Sequence, residues 1–427
     1  MSSSFAITNA RLVDPASEYD GPGGVLVENG LIAQIGEELD LNSADEVIDA
    51  GGKILAPALI DLRASKEPAL TPDGENQASL AVGAAAGGFG TVVLAPNDHS
   101  PLQTAGGFAG MTRSLGQHGV RVLSAAAATQ DLKGENMAEI GLMAKAGAAY
   151  VSNGDHTIAD SRVLRRVLSY ASQFDLWLAL RAAEPGLSCG AVATESDWSA
   201  RFGLPSEPTM AERIAIDRAA SIAALSGGKL MVDRVSTADG LAAIHDARKR
   251  DIEIAATCAI AHLTLNEVDA GALDSAFRID PPLRLEDDRR ALVAAIADGE
   301  IDAIVSDHRP TPFDDKGEPF ALAIPGTLAL ETLLASLLAL VHDEELSLAE
   351  ALRPLTVGPA DLLGLPQGRL STGAPADLVL IDGDKPWVCN PDDFLSPRGN
   401  SAWAGRRFMG VVTQTFVDGQ SIYNYNG

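Results

Sequence analysis

The chain has 427 residues, 46% of them hydrophobic and 21% charged, with a formal net charge of −26. This composition predicts a globular protein, and the large negative charge disfavours nucleic acid and anionic membranes as partners. The three cysteines, Cys189, Cys258 and Cys389, are isolated, which argues against a disulfide framework and against a thiolate-bound metal. The sequence contains no apolar run of membrane-spanning length and no secretion-signal pattern, so we expect a cytoplasmic protein.

The predicted elements change character twice along the chain. Residues 1–55 predict short strands, with a hairpin turn at Asn29-Gly30. From residue 56, continuous apolar strands such as 89–95 alternate with helical segments, and the run 326–342 predicts a long apolar helix. About eight strand–helix units predict a parallel sheet closed into a barrel. Short strands return after Gly364.

The fold class predicted from this order is α/β. We expect a TIM-like (β/α)8 barrel over residues 56–360, accompanied by a small β-sandwich domain built from both chain ends. In this interpretation, residues 1–55 and 361–427 pair with each other.

One stretch points to a family. Residues 56–68 read Ala-Pro-Ala-Leu-Ile-Asp-Leu-Arg-Ala-Ser-Lys-Glu-Pro. They resemble the end of the first barrel strand in the dihydroorotase branch of the amidohydrolase superfamily, where the text reads Asp-x-His-x-His. Further blocks follow in the family order, at 84–97, 235–237, 261–265, 280–284, 306–308, 330–332 and 368–379. The resemblance therefore covers nearly the whole chain.

The resemblance implies where a binuclear zinc site would lie. Imidazoles and carboxylates hold such metals, and a metal-bound hydroxide attacks the substrate carbonyl. The implied ligand positions in this sequence are Arg63, Ser65, Asn153, Arg181, Arg234 and Asp307. A one-residue gap leaves Asp155 as an alternative to Asn153. Each family histidine among these positions is replaced, mostly by arginine, and only the last acid, Asp307, is retained.

The resemblance implies a partly preserved substrate side. Lys66 stands where the family has an arginine for the substrate carboxylate, and Asn97 matches a family asparagine. Asp280 replaces another family asparagine, and its negative charge would oppose an anionic substrate. His262 and His308 match family histidines, and we interpret both as hydrogen-bonded packing residues.

We interpret the chain as a dihydroorotase-like pseudoenzyme without a metal cofactor. Within the resemblance, inactive homologues act in pyrimidine biosynthesis as structural partners of aspartate carbamoyltransferase, so that enzyme's catalytic chain is the expected partner. A homo-oligomer is left open. One alternative is an active zinc-dependent dihydroorotase, or another cyclic-amide hydrolase, with an altered metal site. The other alternative is a sensor of small anions.

The arginines predict a structural substitute for the metals. Guanidinium groups carry positive charge and donate paired hydrogen bonds to carboxylates. We therefore expect Arg63, Arg181 and Arg234 to cluster around Asp307. Because three arginines exceed one aspartate, Glu184, Asp155 or a small anion should complete the cluster. Asp307 is then an ion-pair partner and a relic of catalysis.

Overall fold

The structure is a computed structural model. It describes residues 4–65, 76–115, 119–311, 316–396 and 399–425. Among the described residues, no helix combines the length and apolar character needed to cross a membrane.

Both chain ends contribute strands to one sheet. The strands are β1 (Phe5–Asp14), β2 (Tyr19–Glu28), β3 (Leu31–Gly36), β4 (Glu46–Asp49), β5 (Ile54–Pro57), and, from the other end, β17 (Leu378–Val388), β18 (Arg407–Val417) and β19 (Gln420–Asn424). Their order is β19-β18-β17-β5-β1-β2-β3, with β4 beside β1. The two ends meet where β17 runs antiparallel to β5, with Leu378 opposite Pro57. The chain ends therefore pair as the sequence predicts, whereas the exact boundaries 1–55, 56–360 and 361–427 stay a prediction.

The turn between β2 and β3 shows how the sequence fixes this sheet. Asn29 and Gly30 both have positive φ, 52° and 78°, as a two-residue hairpin turn requires. A Cβ atom on Gly30 would lie 2.7 Å from the carbonyl oxygen of Asp418. Glycine at this position thus allows the hairpin to pack against the chain's other end.

The middle of the chain forms parallel strands. They are β6 (Leu59–Ala64), β7 (Phe89–Leu94), β8 (Arg121–Ser124), β9 (Ala126–Ala127), β10 (Val151–Ser152), β11 (Trp177–Arg181), β14 (Lys229–Asp233), β15 (Ile254–Ala259) and β16 (Ala303–Val305). Strands β6, β7 and β15 are buried along their whole length, which is typical of parallel strands covered on both faces. A separate short pair consists of β12 (Ala193–Thr194) and β13 (Ser206–Glu207).

The parallel strands form two sheets, β6-β7-β8 and β16-β15-β14-β11-β10-β9. Only Ala125 separates β8 from β9 along the chain. At the opposite margins, Ala64 forms a parallel bridge to His308, and the Ser65 amide donates to the His308 carbonyl at 2.8 Å. Strand pairing within the described residues is therefore an α/β arrangement of two sheets that adjoin at both margins, and not one continuous closed sheet.

Helices connect the strands and cover them. They are α1 (Gln77–Ala86), α2 (Ala105–Leu115), α3 (Ile140–Lys145), α4 (Ser161–Ala171), α5 (Pro185–Ser188), α6 (Asp197–Phe202), α7 (Met210–Ser226), α8 (Ala238–Arg248), α9 (Ile260–Thr264), α10 (Glu286–Ala297), α11 (Leu333–His342), α12 (Leu348–Leu352) and α13 (Val357–Leu363). Buried faces of α4, α7 and α11 join the main hydrophobic core with the strands.

The apolar run 326–342 predicts a helix over its whole length, but α11 begins only at Leu333. The amides of Ala329 and Leu330 instead donate to Nδ1 of His308, at 3.2 and 3.4 Å. Tertiary hydrogen bonds to a buried histidine thus override helix propensity in this segment.

Candidate functional site

Charged side chains converge at the carboxyl ends of several parallel strands. This group, called the arginine–aspartate cluster below, consists of Arg63, Asp155, Asp233, Arg234, Asp307 and Arg309. The first lies near the end of β6, and the others end or follow β10, β14 and β16. Proteins built on parallel (β/α) units place their functional groups at this edge, so the cluster is the candidate site.

Arg63 is the centre of the cluster. Its Nε donates to Asp307 Oδ1 at 2.9 Å, its Nη1 to Asp233 Oδ2 at 2.7 Å and its Nη2 to Asp155 Oδ1 at 2.5 Å. The side chain is 3% exposed. Burial and the neighbouring Arg234 oppose its charge, but the three aspartates more than offset them and raise the pKa of Arg63. Arg63 therefore stays charged and pairs with all three aspartates of the cluster.

Arg234 reaches two of the same aspartates. Its Nη1 donates to both carboxylate oxygens of Asp307, at 3.0 and 2.9 Å, and its Nη2 donates to Asp155 Oδ1 at 2.7 Å. Nη1 also donates to the backbone carbonyl of Asp280 at 2.7 Å. With a side chain 2% exposed, Arg234 joins the ends of several strands through charge-assisted hydrogen bonds.

Within the described part of the chain, the cluster is electrically balanced. Arg309 supplies the third guanidinium, and its Nη1 donates to Asp155 Oδ2 at 3.0 Å. Three arginines thus face three aspartates. Burial opposes the ionisation of Asp155, but Arg63, Arg234 and Arg309 outweigh it and lower the pKa of Asp155 well below its ordinary value. This balance allows so many charges to be buried together.

The backbone adopts unusual conformations to place two of these side chains. Arg234 has φ 60° and Asp307 has φ 47°, in the left-handed region that side-chain-bearing residues seldom adopt. Such strain is concentrated at sites that the surrounding structure over-determines. Here, the ion pairs of Arg234 and Asp307 hold the backbone in these conformations.

Asp61 stabilises the backbone that carries the cluster. Its carboxylate accepts from the amides of Arg63, at 3.1 Å, and Ser306, at 3.0 Å, and from the Ser306 hydroxyl. Burial raises the pKa of Asp61 to about 6, although these hydrogen bonds favour the carboxylate. Asp61 thereby joins β6 to the end of β16, the two strands that position Arg63 and Asp307.

Arg181 lies in a neighbouring group and not around Asp307, which corrects the expectation of a single cluster. Its Nη2 and Nε donate to the carboxylate of Asp280 at 3.1 and 3.3 Å, and Nη2 lies 3.8 Å from Glu207 Oε1. Glu207 also accepts from Arg284 at 2.6 Å. Asp280 therefore provides Arg181 with a counter-charge.

Asn153 and Asp155 both follow β10, and Asp155 is the one that contacts the arginines. Asn153 Oδ1 accepts from the Thr129 hydroxyl at 2.6 Å, and its Nδ2 donates to the carbonyls of Leu132 and His156. Asn153 thus holds loops together. Among the described ion pairs of the cluster, none involves Glu184.

The remaining predicted residues are dispersed. Ser65 is buried and contacts His308 through its backbone amide. Asn97 Oδ1 accepts from the amides of His99, at 3.1 Å, and Ser100, at 2.7 Å, and so shapes a turn. Lys66 lies outside the described residues.

The two family-matched histidines are buried. His308 Nδ1 accepts hydrogen bonds from the amides of Ala329 and Leu330, just before α11. His262 Nε2 lies 3.1 Å from the carbonyl of Pro281, and burial lowers the pKa of His262 to about 3. A neutral imidazole donating to this carbonyl is a packing arrangement.

Sequence reasoning missed Asp233, Arg309, Glu207 and Arg284. Asp233 and Arg309 lie beside predicted residues, since Asp233 precedes Arg234 and Arg309 follows Asp307 by two positions. Their position at strand ends was a usable signal. Glu207 and Arg284 are distant in sequence, so only the three-dimensional structure brings them together.

Among the described residues, no group of three or more His, Cys, Asp or Glu side chains has an arrangement that could hold a metal ion. The carboxylates of the cluster instead accept hydrogen bonds from guanidinium groups. The arrangement can hold strand ends together and retain its charges over a wide pH range.

Replacing Arg181 with Ala is expected to lower the free energy of unfolding by about 3 kcal/mol, because it leaves Asp280 without its guanidinium partner. Urea denaturation measures the loss. Arg290→Ala is the matched control, since that arginine is 69% exposed and pairs with Glu286, and it should cost less than about 1 kcal/mol. Equal effects of the two substitutions would contradict the buried role of Arg181.

Parallel strands with charged side chains at their carboxyl ends, together with a sheet formed by both chain ends, define an α/β protein with its candidate site at the strand ends. The model described as "Amidohydrolase family" matches residues 76–422. The dihydroorotase of Syntrophus aciditrophicus is 33% identical over 98% of both chains, and that of Syntrophotalea carbinolica is 34% identical over 98% of both. The chain belongs to the amidohydrolase family, and its sequence is dihydroorotase-like.

Solved structures agree on the fold. The L-hydantoinase (dihydropyrimidinase) from Arthrobacter aurescens aligns with a TM-score of 0.88 at 24% identity, over 99% of this chain and 96% of that chain. The D-hydantoinase (dihydropyrimidinase) from Thermus sp. aligns with a TM-score of 0.83 at 20% identity, over 99% and 97%. The likeness implies a TIM-type barrel with an accompanying β domain.

Proposed function

We propose that this chain is a non-catalytic dihydroorotase-like protein in which the arginine–aspartate cluster replaces a binuclear metal centre. One observation carries the proposal. Arg63 and Arg234, at positions where the resemblance implies histidine ligands, bind the carboxylates that a metal would need. The cluster then joins the strand ends that metals would otherwise join.

The donor set does not fit a pair of divalent cations. Guanidinium has no lone pair to offer a metal and stays protonated at any physiological pH. Arg63, Arg234 and Arg309 would repel a divalent ion, and they already occupy oxygens of the three cluster aspartates. Both carboxylate oxygens of Asp307 accept hydrogen bonds from arginines, so neither is open to take a proton from a substrate or water.

Restoring one histidine is not expected to restore a metal site. In Arg63→His, two guanidinium groups remain beside Asp155 and Asp307, and a divalent cation would still be repelled. We expect no zinc binding above that of the unmodified protein in a titration followed by calorimetry. Tight zinc binding by Arg63→His alone would show that the other arginines do not block the site.

A protein that keeps this fold without hydrolysis needs another role, and we propose a structural one in pyrimidine biosynthesis. The proposed partner is the catalytic chain of aspartate carbamoyltransferase, because inactive dihydroorotase-like homologues pair with that enzyme in the family that the sequence resembles. Co-expression of the two proteins, followed by size-exclusion chromatography, tests this role. A shared peak supports it. Separate elution, with neither protein changing the stability or activity of the other, contradicts it.

The alternative is an active dihydroorotase or a related cyclic-amide hydrolase with an altered site. The match to whole-length relatives named dihydroorotase favours it. An assay of dihydroorotate hydrolysis, with and without added zinc, separates the two proposals. Turnover that is lost in Asp307→Asn would favour the active enzyme.

A further inference from the structure

Two buried cations lie outside both groups of ion pairs. Arg278 is 9% exposed and Lys316 is 6% exposed. Neither side chain forms an ion pair with a carboxylate among the described residues, in contrast to Arg63, Arg181 and Arg234. Buried charges are normally paired, so two unpaired cations in a chain of net charge −26 require an explanation.

Arg278 has an unused donor. Its Nη1 donates to the carbonyl of Ile279 at 2.9 Å, whereas its Nε is buried with no partner among the described residues. Burial lowers the pKa of Arg278, and the charges of Asp280 and Glu207 offset this effect only in part. The guanidinium is therefore short of negative charge and of one hydrogen-bond acceptor.

Lys316 lies beside Arg278. Its Nζ donates to the carbonyl of Arg278 at 2.9 Å and to that of Ser275 at 3.0 Å. An ammonium has three protons, so one donor remains beyond these two contacts. Burial, and then the charges of Arg278 and Arg309, lower the pKa of Lys316 to about 7, whereas Asp274 opposes the shift. Two cations are thus fixed to one backbone segment.

The pair is close to the surface. Residues 317–319, which follow Lys316, are exposed, and Leu322 is 71% exposed. The pair therefore lies directly beneath exposed chain.

We propose that Arg278 and Lys316 form a binding site for a small oxyanion, a carboxylate or a phosphate. A guanidinium offers a planar fork to two oxygens, and an ammonium adds a compact charge. A bound oxyanion would accept from Arg278 Nε and from the third proton of Lys316, and would supply the missing negative charge. This proposal does not rest on the proposed scaffold role, and a catalytic chain would carry the same pair.

Calorimetric titration of the full chain with phosphate, and separately with succinate, tests the site against chloride at equal ionic strength. We expect saturable binding of one of the two anions, and the preferred one identifies the ligand class. The Kd should rise about tenfold or more in Arg278→Gln and in Lys316→Met. Lys249→Met is the control, because that lysine is 64% exposed, and its Kd should match the unmodified protein. Succinate binding should weaken above pH 7 as Lys316 loses its proton.

Three results would overturn the proposal. In the first, neither anion binds. The anion binds equally to the variants, which would make it an adventitious ion only. Or Lys249→Met weakens binding as much as Lys316→Met. If Lys316→Met does not fold, Arg278→Gln against the charge-retaining Arg278→Lys decides, since only Arg278→Gln should lose most of the affinity.

Discussion

Replacing Arg234 with Met is expected to lower the free energy of unfolding by about 3–5 kcal/mol. The substitution removes two hydrogen bonds to Asp307, one to Asp155 and one to the backbone carbonyl of Asp280. Methionine fills much of the volume but leaves two carboxylates facing fewer cations in a buried environment. Equilibrium unfolding in urea near neutral pH gives the difference.

The matched control is Arg213→Met. Arg213 is 29% exposed and pairs with Asp246 at 3.2 Å, so its loss should cost less than about 1 kcal/mol. A loss for Arg234→Met no larger than that of the control would mean that the cluster does not hold the strand ends together.

Acid is expected to remove part of the stability through Asp280. Burial opposes its ionisation, but Arg181 outweighs burial and lowers the pKa of Asp280 to about 2, from an ordinary 3.8. As the pH falls, the unfolded chain therefore binds the proton first. The stabilisation, about 2 kcal/mol for such a shift, is complete above about pH 5 and is lost as the pH falls towards 2.

Comparing Asp280→Asn with the unmodified chain isolates this contribution from other titrating groups, such as His262. The difference in unfolding free energy should shrink by about 1 kcal/mol between about pH 7 and about pH 3, with the rest lost as the pH falls towards 2. Asp246→Asn, at an exposed position, is the matched control. A difference for Asp280→Asn that does not change with pH would refute the ion pair with Arg181.

The sequence predicts the overall organisation well because it depends on local patterns. Continuous apolar strands such as β7 need cover on both faces, and Asn29-Gly30 needs a tight hairpin, whatever the rest of the chain does. Pairing of the chain ends followed from their shared strand character, and Leu378 lies opposite Pro57 as a result. The sequence predicts too early a start for α11, because buried His308 accepts hydrogen bonds from the amides that would have begun the helix.

The candidate site was predictable only in part. The resemblance placed Arg63, Arg234 and Asp307 at strand ends, where the structure brings them together. It did not identify Asp233 as the third acid, because no family ligand was expected there. Nor did it separate Arg181 from the cluster, since the choice between Asp307 and Asp280 depends on side-chain direction and distance.

The central claim is that guanidinium groups occupy the place of two metal ions. Its most direct test is the zinc content of the full chain, purified from zinc-supplemented cells and measured by mass spectrometry of the element. The cluster of three arginines and three aspartates predicts zinc far below one ion per chain, with no gain after dialysis against zinc. Zinc bound in near-stoichiometric amount and lost in Asp307→Asn would contradict it.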